Sequence, residues 1–155
     1  MFEKLTDPTD VILHEGNVPI RHRYTPGVAG TAFFTALRDR GQLIASTCPA
    51  CGITYCPPRL FCERDFSEME PTETVGPGGV LESFSVGYVG VEGEPLDEPV
   101  ALGLIRPDGA DTVLMHFVVD AEELEIGARV EAVFLPKAKR TGAMGDLRGF
   151  RPAST

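Results

Sequence analysis

Cys48-Pro49-Ala50-Cys51-Gly52, then Cys56-Pro57-Pro58, then Cys62-Glu63-Arg64-Asp65 is the stretch on which the reading of this chain turns. Two cysteines with two residues between them can point both sulfurs at one ion, and Gly52 lets the backbone reverse just after them. A second knuckle about ten residues on would complete a tetrahedral site. That knuckle has Cys62, and the place matching Cys51 is held by Asp65. A carboxylate oxygen is an acceptable zinc ligand. Cys56 is the softer donor, but it lies between the knuckles on a segment ending at Pro57-Pro58. The register therefore favours Cys48, Cys51, Cys62 and Asp65, with Cys56 as the alternative fourth ligand. A site whose ligands all come from protein is structural, because catalytic zinc keeps a position open for water. Metal binding of about 10–16 kcal/mol in model fingers is then largely folding energy.

Working outward from the cysteines, residues 1–30 hold Pro8, Pro19 and Pro26 without a sustained period and read as an extended arm. Val11, Ile12, Leu13, Val18 and Ile20 give that arm apolar handles for a partner. Thr31 is expected to cap a short helix running to about Arg40, with Phe33, Phe34 and Leu37 on one face and Gly41 as its stop. Gln42–Thr47 reads as a strand entering the first knuckle, so residues 31–67 form a helix plus a metal ribbon.

Five strand candidates follow: Glu70–Val75, Val80–Val89, Val100–Ile105, Thr112–Val118 and Arg129–Leu135. Period-two apolar runs bounded by Gly, Pro and Asp mark half-buried antiparallel strands. Five in this space suit a small closed barrel of the oligonucleotide/oligosaccharide-binding (OB) type over 68–136. Residues 137–155 then form a basic tail. The fold class is mainly β: arm and short helix, two-knuckle metal ribbon (rubredoxin-like by the resemblance given below), five-stranded OB barrel.

The net charge of −9 argues against a duplex nucleic-acid binder, which needs a basic face. Lys137, Lys139, Arg140, Arg148 and Arg151 nevertheless cluster in the tail, and Arg21-His22-Arg23 is a second basic run. Such segments are either solvated surface or meet phosphates or an acidic neighbour. No stretch approaches the roughly 20 apolar residues that span a bilayer, and the N-terminus lacks a secretory pattern. The chain reads as cytoplasmic, a compartment where clustered cysteines favour metal over disulfides.

Catalytic patterns are missing. There is no Gly-x-Ser-x-Gly elbow, no phosphate-cradling glycine loop and no His-Glu-x-x-His. His116 lies mid-strand and reads as a packed residue, while His14 and His22 fall in the arm.

Cys48-Pro49-Ala50-Cys51-Gly52 followed by Tyr55-Cys56-Pro57-Pro58-Arg59 and Cys62, with Gly79–Phe84 and Ile126–Phe134, resembles the zinc-ribbon/OB-fold family catalogued as domain of unknown function 35. The resemblance covers about residues 31–136. Asp65 departs from the family's usual fourth Cys, and Cys56 replaces a commonly aromatic residue. The resemblance implies a structural zinc and a non-catalytic subunit bound to a thiolase-fold enzyme acting on acyl-coenzyme A thioesters, such as a thiolase, an acyltransferase or a side-chain aldolase of steroid breakdown. The partner would supply the nucleophile, and this chain would help form the coenzyme A (CoA) channel. Lys137, Lys139 and Arg140 are the residues expected to meet CoA phosphates. A free-standing nucleic-acid-binding module is the alternative.

Overall fold

The computed structural model describes residues 23–90, 92–120 and 123–153. Most of the expected arm, with His14 and His22, lies outside them. Helix α1, Gly27–Arg40, starts earlier than expected, directly after Pro26. A proline suits a helix start because its missing N–H would have no intrahelical partner there. Thr31 is inside the helix, and its hydroxyl donates to the Gly27 carbonyl at 2.6 Å. Gly41 closes the helix at φ 62°, with its N–H donating to the Leu37 carbonyl. Phe33, Ala36 and Leu37 form the buried face.

Strand β1, Leu43–Thr47, is the middle of a three-stranded sheet with β2, Thr54–Tyr55, and β3, Glu73–Val75. The segment Glu70–Val75, expected in the barrel, thus belongs to the ribbon: Leu43 pairs with Val75 and Ala45 with Glu73. The barrel is built from β4, Gly78–Val89, β5, Pro95–Pro107, β6, Leu114–Val118, β7, Arg129–Phe134, and β8, Leu147–Pro152. They close in the order β4-β5-β6-β8-β7, an OB-fold barrel.

The count of five strands matches the sequence reading, but the fifth strand comes from the supposed tail. The barrel therefore extends past residue 136. In β8, Leu147 and Phe150 are fully buried, while Arg148 and Arg151 face out to Asp120 and Glu131. Two arginines among six residues hid the strand, because only its inward side is apolar. Gly149 is required here: a Cβ would stand 2.8 Å from the Phe117 carbonyl oxygen. The barrel interior and the helix share one core, in which Leu81, Ile105 and Val130 meet Phe33, Leu37 and Ile44.

Asp146 anchors the loop before β8. It is buried, and its carboxylate accepts from the Thr141 and Gly142 amides at 2.8 and 2.7 Å. Burial pushes its pKa up, but the amide donors of Thr141, Gly142 and Ala143 outweigh burial and hold it below the usual range. A depressed folded-state pKa gives stability that is full above the unfolded value and lost as pH falls through the folded one. Asp146→Ala should therefore destabilise the protein at neutral pH and flatten the loss of stability below about pH 4. Phe150→Ala should cost about 3–5 kcal/mol in urea unfolding, against at most about 1 kcal/mol for Arg151→Ala, whose ion pair is exposed. Equal effects would remove β8 from the barrel.

Candidate metal centre

Strand β1 delivers Cys48 at its end, and the chain reverses through two matching turns. In the first, the Gly52 N–H donates to the Cys48 carbonyl at 2.9 Å and the Cys48 N–H to the Ile53 carbonyl at 2.9 Å. In the second, the Phe66 N–H donates to the Cys62 carbonyl at 3.0 Å and the Cys62 N–H to the Ser67 carbonyl at 3.0 Å. Gly52 and Phe66 hold equivalent left-handed positions, at φ 75° and 60°. For a residue other than glycine that conformation costs about 1–2 kcal/mol, so the second knuckle keeps its shape against local strain. The equivalence places Asp65 where the first turn has Cys51.

The donor atoms of Cys48, Cys51, Cys62 and Asp65 all lie within 4.8 Å of one another. The Cys51 and Cys62 sulfurs are 3.7 Å apart, and the Cys48 sulfur is 3.4 and 3.6 Å from the two Asp65 oxygens. Tetrahedral zinc with bonds of about 2.3 Å to sulfur and 2.0 Å to oxygen sets sulfur–sulfur edges of about 3.8 Å and sulfur–oxygen edges of about 3.5 Å. The observed edges fit that polyhedron.

The donor set also fits chemically. The Cys51 thiol is drawn down by the Ile53 backbone N–H, but desolvation and the neighbouring Cys48 and Cys62 sulfurs outweigh it and push the thiol up to about 11. So many acidic donors resist sharing one spot as anions, and a divalent cation relieves that resistance. Asp65 is held down to about 2, chiefly by hydrogen bonds from Ser67, whose N–H lies 2.9 Å from Oδ1. Cys62 is lowered first by the Tyr55 hydroxyl, 3.5 Å from its sulfur.

Tyr55 itself is fully buried, and the Arg59 guanidinium lies 4.9 Å from its ring centroid. Ser46 fixes the Arg59 backbone in both directions, accepting from its N–H and donating to its carbonyl. Neither Tyr55 nor Ser46 was singled out from sequence as supporting the site. The one available signal was Tyr55 adjoining the Cys56-Pro57-Pro58-Arg59 run.

Cys56 is elsewhere. It is buried in the core shared with the barrel, and burial alone pushes its thiol up to about 12. Its N–H donates to the Thr112 hydroxyl at 2.9 Å, and that hydroxyl returns a bond to the Cys56 carbonyl at 3.1 Å. His116, read as a packed residue, is buried on the inner side of β6 edge-on to Phe150, and burial lowers its pKa.

The three tail cations have different surroundings. Lys137 and Lys139 are exposed on a short 3-10 turn, Lys137–Lys139. Arg140 is engaged in the fold: Nε donates to the Leu135 carbonyl at 2.6 Å, its guanidinium lies over Phe134, and it covers Gly41 at the end of α1. A cation at a helix C-terminus is favourably placed against the helix dipole.

A four-donor double knuckle joined to a closed OB barrel defines a zinc-ribbon/OB-fold protein. The sequence model of the ChsH2 rubredoxin-like zinc ribbon domain matches residues 35–70, and that of the ChsH2 C-terminal OB-fold domain matches residues 72–135. With both domains present in this order, the chain belongs to the ChsH2-type family of domain of unknown function 35 (DUF35). A DUF35 protein of unknown function from Sulfolobus solfataricus is 24% identical, with a TM-score of 0.62 over 81% of this chain and 84% of that one. A chain of the Ltp2-ChsH2(DUF35) aldolase is 22% identical, with a TM-score of 0.57 over 79% of this chain and 92% of that one. At these identities the two structures show the shared fold.

We propose Cys48, Cys51, Cys62 and Asp65 as the ligand set. Elemental analysis of the purified protein should then find about one zinc per chain. Cys48→Ser and Cys62→Ser should lose it, Asp65→Ala should weaken it, and Cys56→Ser should retain it. Zinc retained by Asp65→Ala and lost by Cys56→Ser would reverse the assignment.

Proposed function

We propose that this chain is a non-catalytic, zinc-binding accessory subunit of a thiolase-fold enzyme acting on acyl-CoA thioesters. The fate of the four cysteines carries the reading. Thiolase-type acyl transfer needs an activated sulfur nucleophile beside a base and oxyanion donors. Here three sulfurs converge with Asp65, and the fourth, Cys56, is buried and protonated. The buried His116 is packed edge-on against the Phe117 and Phe150 rings. The chemistry therefore belongs to a partner, in keeping with the ChsH2 half of the Ltp2-ChsH2(DUF35) aldolase. Zinc supplies a structural crosslink in this arrangement: Cys48 and Cys51 tie the end of β1 to Cys62 and Asp65 of the second turn.

For CoA itself the reading uses Lys137 and Lys139, whose ammonium groups reach solvent while Arg140 braces the turn that carries them. Degradation of aromatic or steroid acyl groups fits this class. The purified chain should catalyse no thiolysis, acyl transfer or retro-aldol cleavage of any CoA ester, and its partner expressed alone should be unstable or much less active. Turnover by this chain free of the partner would end the proposal. Replacing Lys137 and Lys139 by Ala in the complex should raise KM for the CoA substrate several-fold with kcat little changed. An unchanged KM would separate this turn from CoA.

A further inference from the structure

The outer face of β5 and β6 breaks the usual rule that one side of a half-buried sheet is apolar and the other polar. Both strands alternate cleanly: Gly103, Ile105, Leu114, His116 and Val118 point inward. Yet the outward residues are Val100, Leu102, Leu104, Met115 and Phe117, with Met115 65% and Phe117 46% exposed. Leu102 lies directly opposite Phe117, and Leu104 opposite Met115. On the other flank, β4 sets only Ser83, Ser85 and Gly87 beside Leu104, Leu102 and Val100. The result is one contiguous apolar surface two strands wide, bordered on the β4 side by small and hydroxyl residues. Such a patch rimmed by polar groups marks an interaction site.

The rim's cations, Arg106 and Arg148, are each paired, with Glu82 and Asp120, so its unpaired charge is acidic. The β4–β5 hairpin beyond the face carries Glu92, Glu94, Asp97 and Glu98, and residues 89–98 contain no Lys or Arg. None of these four carboxylates belongs to an ion pair of the described residues. In OB folds the corresponding face, between the second and third barrel strands, binds oligonucleotides. That use needs a basic groove with stacking aromatics. Here the face has one exposed ring, no central cation and an acidic margin that repels phosphates.

We infer that the outer face of β5 and β6 is the docking surface for the catalytic subunit, which meets it with an apolar centre and with basic residues along the β4–β5 hairpin. The inference rests on the accessory-subunit reading for the identity of the occupant. The charge arrangement on the page selects a protein with a basic rim, since complementary rims steer association while apolar centres supply affinity.

The test uses the full-length chain co-expressed with the thiolase-fold subunit that co-purifies with it. Leu102→Asp and Met115→Asp should each weaken the complex about tenfold or more, with zinc content unchanged. The charge reversal Glu94→Lys with Asp97→Lys should slow association and flatten its salt dependence. Ile126→Asp, at an exposed apolar residue on the loop before β7, should have no effect. Wild-type affinity in both Leu102→Asp and Met115→Asp would overturn the inference while leaving the accessory role intact. If no thiolase-fold subunit accompanies the chain, the accessory role and the assigned occupant fall together. A homodimer dissolved by Met115→Asp would give the face to a second copy. Hydrogen-exchange protection of β5 and β6 in the free chain that disappears on removal of residues 1–22 would give it to the chain's own N-terminal segment. Either result overturns the assignment.

Discussion

The convergence of four donor atoms between two reversed turns is the constraint on which the two knuckles of this protein depend. Strand β2 has two residues and β3 has three. Such strands have no independent stability in water. The second apolar cluster contains only Cys48, Tyr55, Cys62 and Met69, with Ile53 packed against it. Two of those four are themselves donors, so burial and ligation act through the same side chains. The left-handed Phe66 belongs to the same economy, since the turn geometry that carries Asp65 outweighs the residue's own preference.

The barrel is stabilised in the ordinary way, by a continuous apolar interior, and it lends that core to the helix and β1. This division of labour frees the barrel's outside for recognition. The one cysteine outside the donor cluster, Cys56, is sealed where ribbon and barrel meet.

The ribbon was legible because metal ligation demands residue types at fixed spacing, and Gly41 and the strand candidate Val80–Val89 were legible for similarly local reasons. Strand β8 was not, since Arg148 and Arg151 lend a charged appearance to a segment whose buried residues are only Leu147, Gly149 and Phe150. The place of Glu73–Val75 was hidden too: strand propensity says nothing about which partner a strand chooses. Arg140 looked like a free cation because no sequence pattern announces a carbonyl and a helix end waiting for it. Val100-Ala101-Leu102-Gly103-Leu104-Ile105 is apolar at both parities, which in sequence is the mark of a strand buried on both faces. Only the structure shows one of those faces bare.

The joint between ribbon and barrel has a thermodynamic corollary. Thr54, on the strand that leaves the first knuckle, donates its N–H to the Asp111 carboxylate at 2.8 Å and accepts from the Asp111 N–H at 2.9 Å. Asp111 and Thr112 lie in the connection between β5 and β6, the two strands whose outer face is bare. One short loop thus bonds to the first knuckle's strand and joins the two strands of that face. Two binding events that order the same loop share a coupling free energy, and coupling is reciprocal. Were the proposed metal and the proposed subunit each to order that loop, either would strengthen binding of the other by the same free energy.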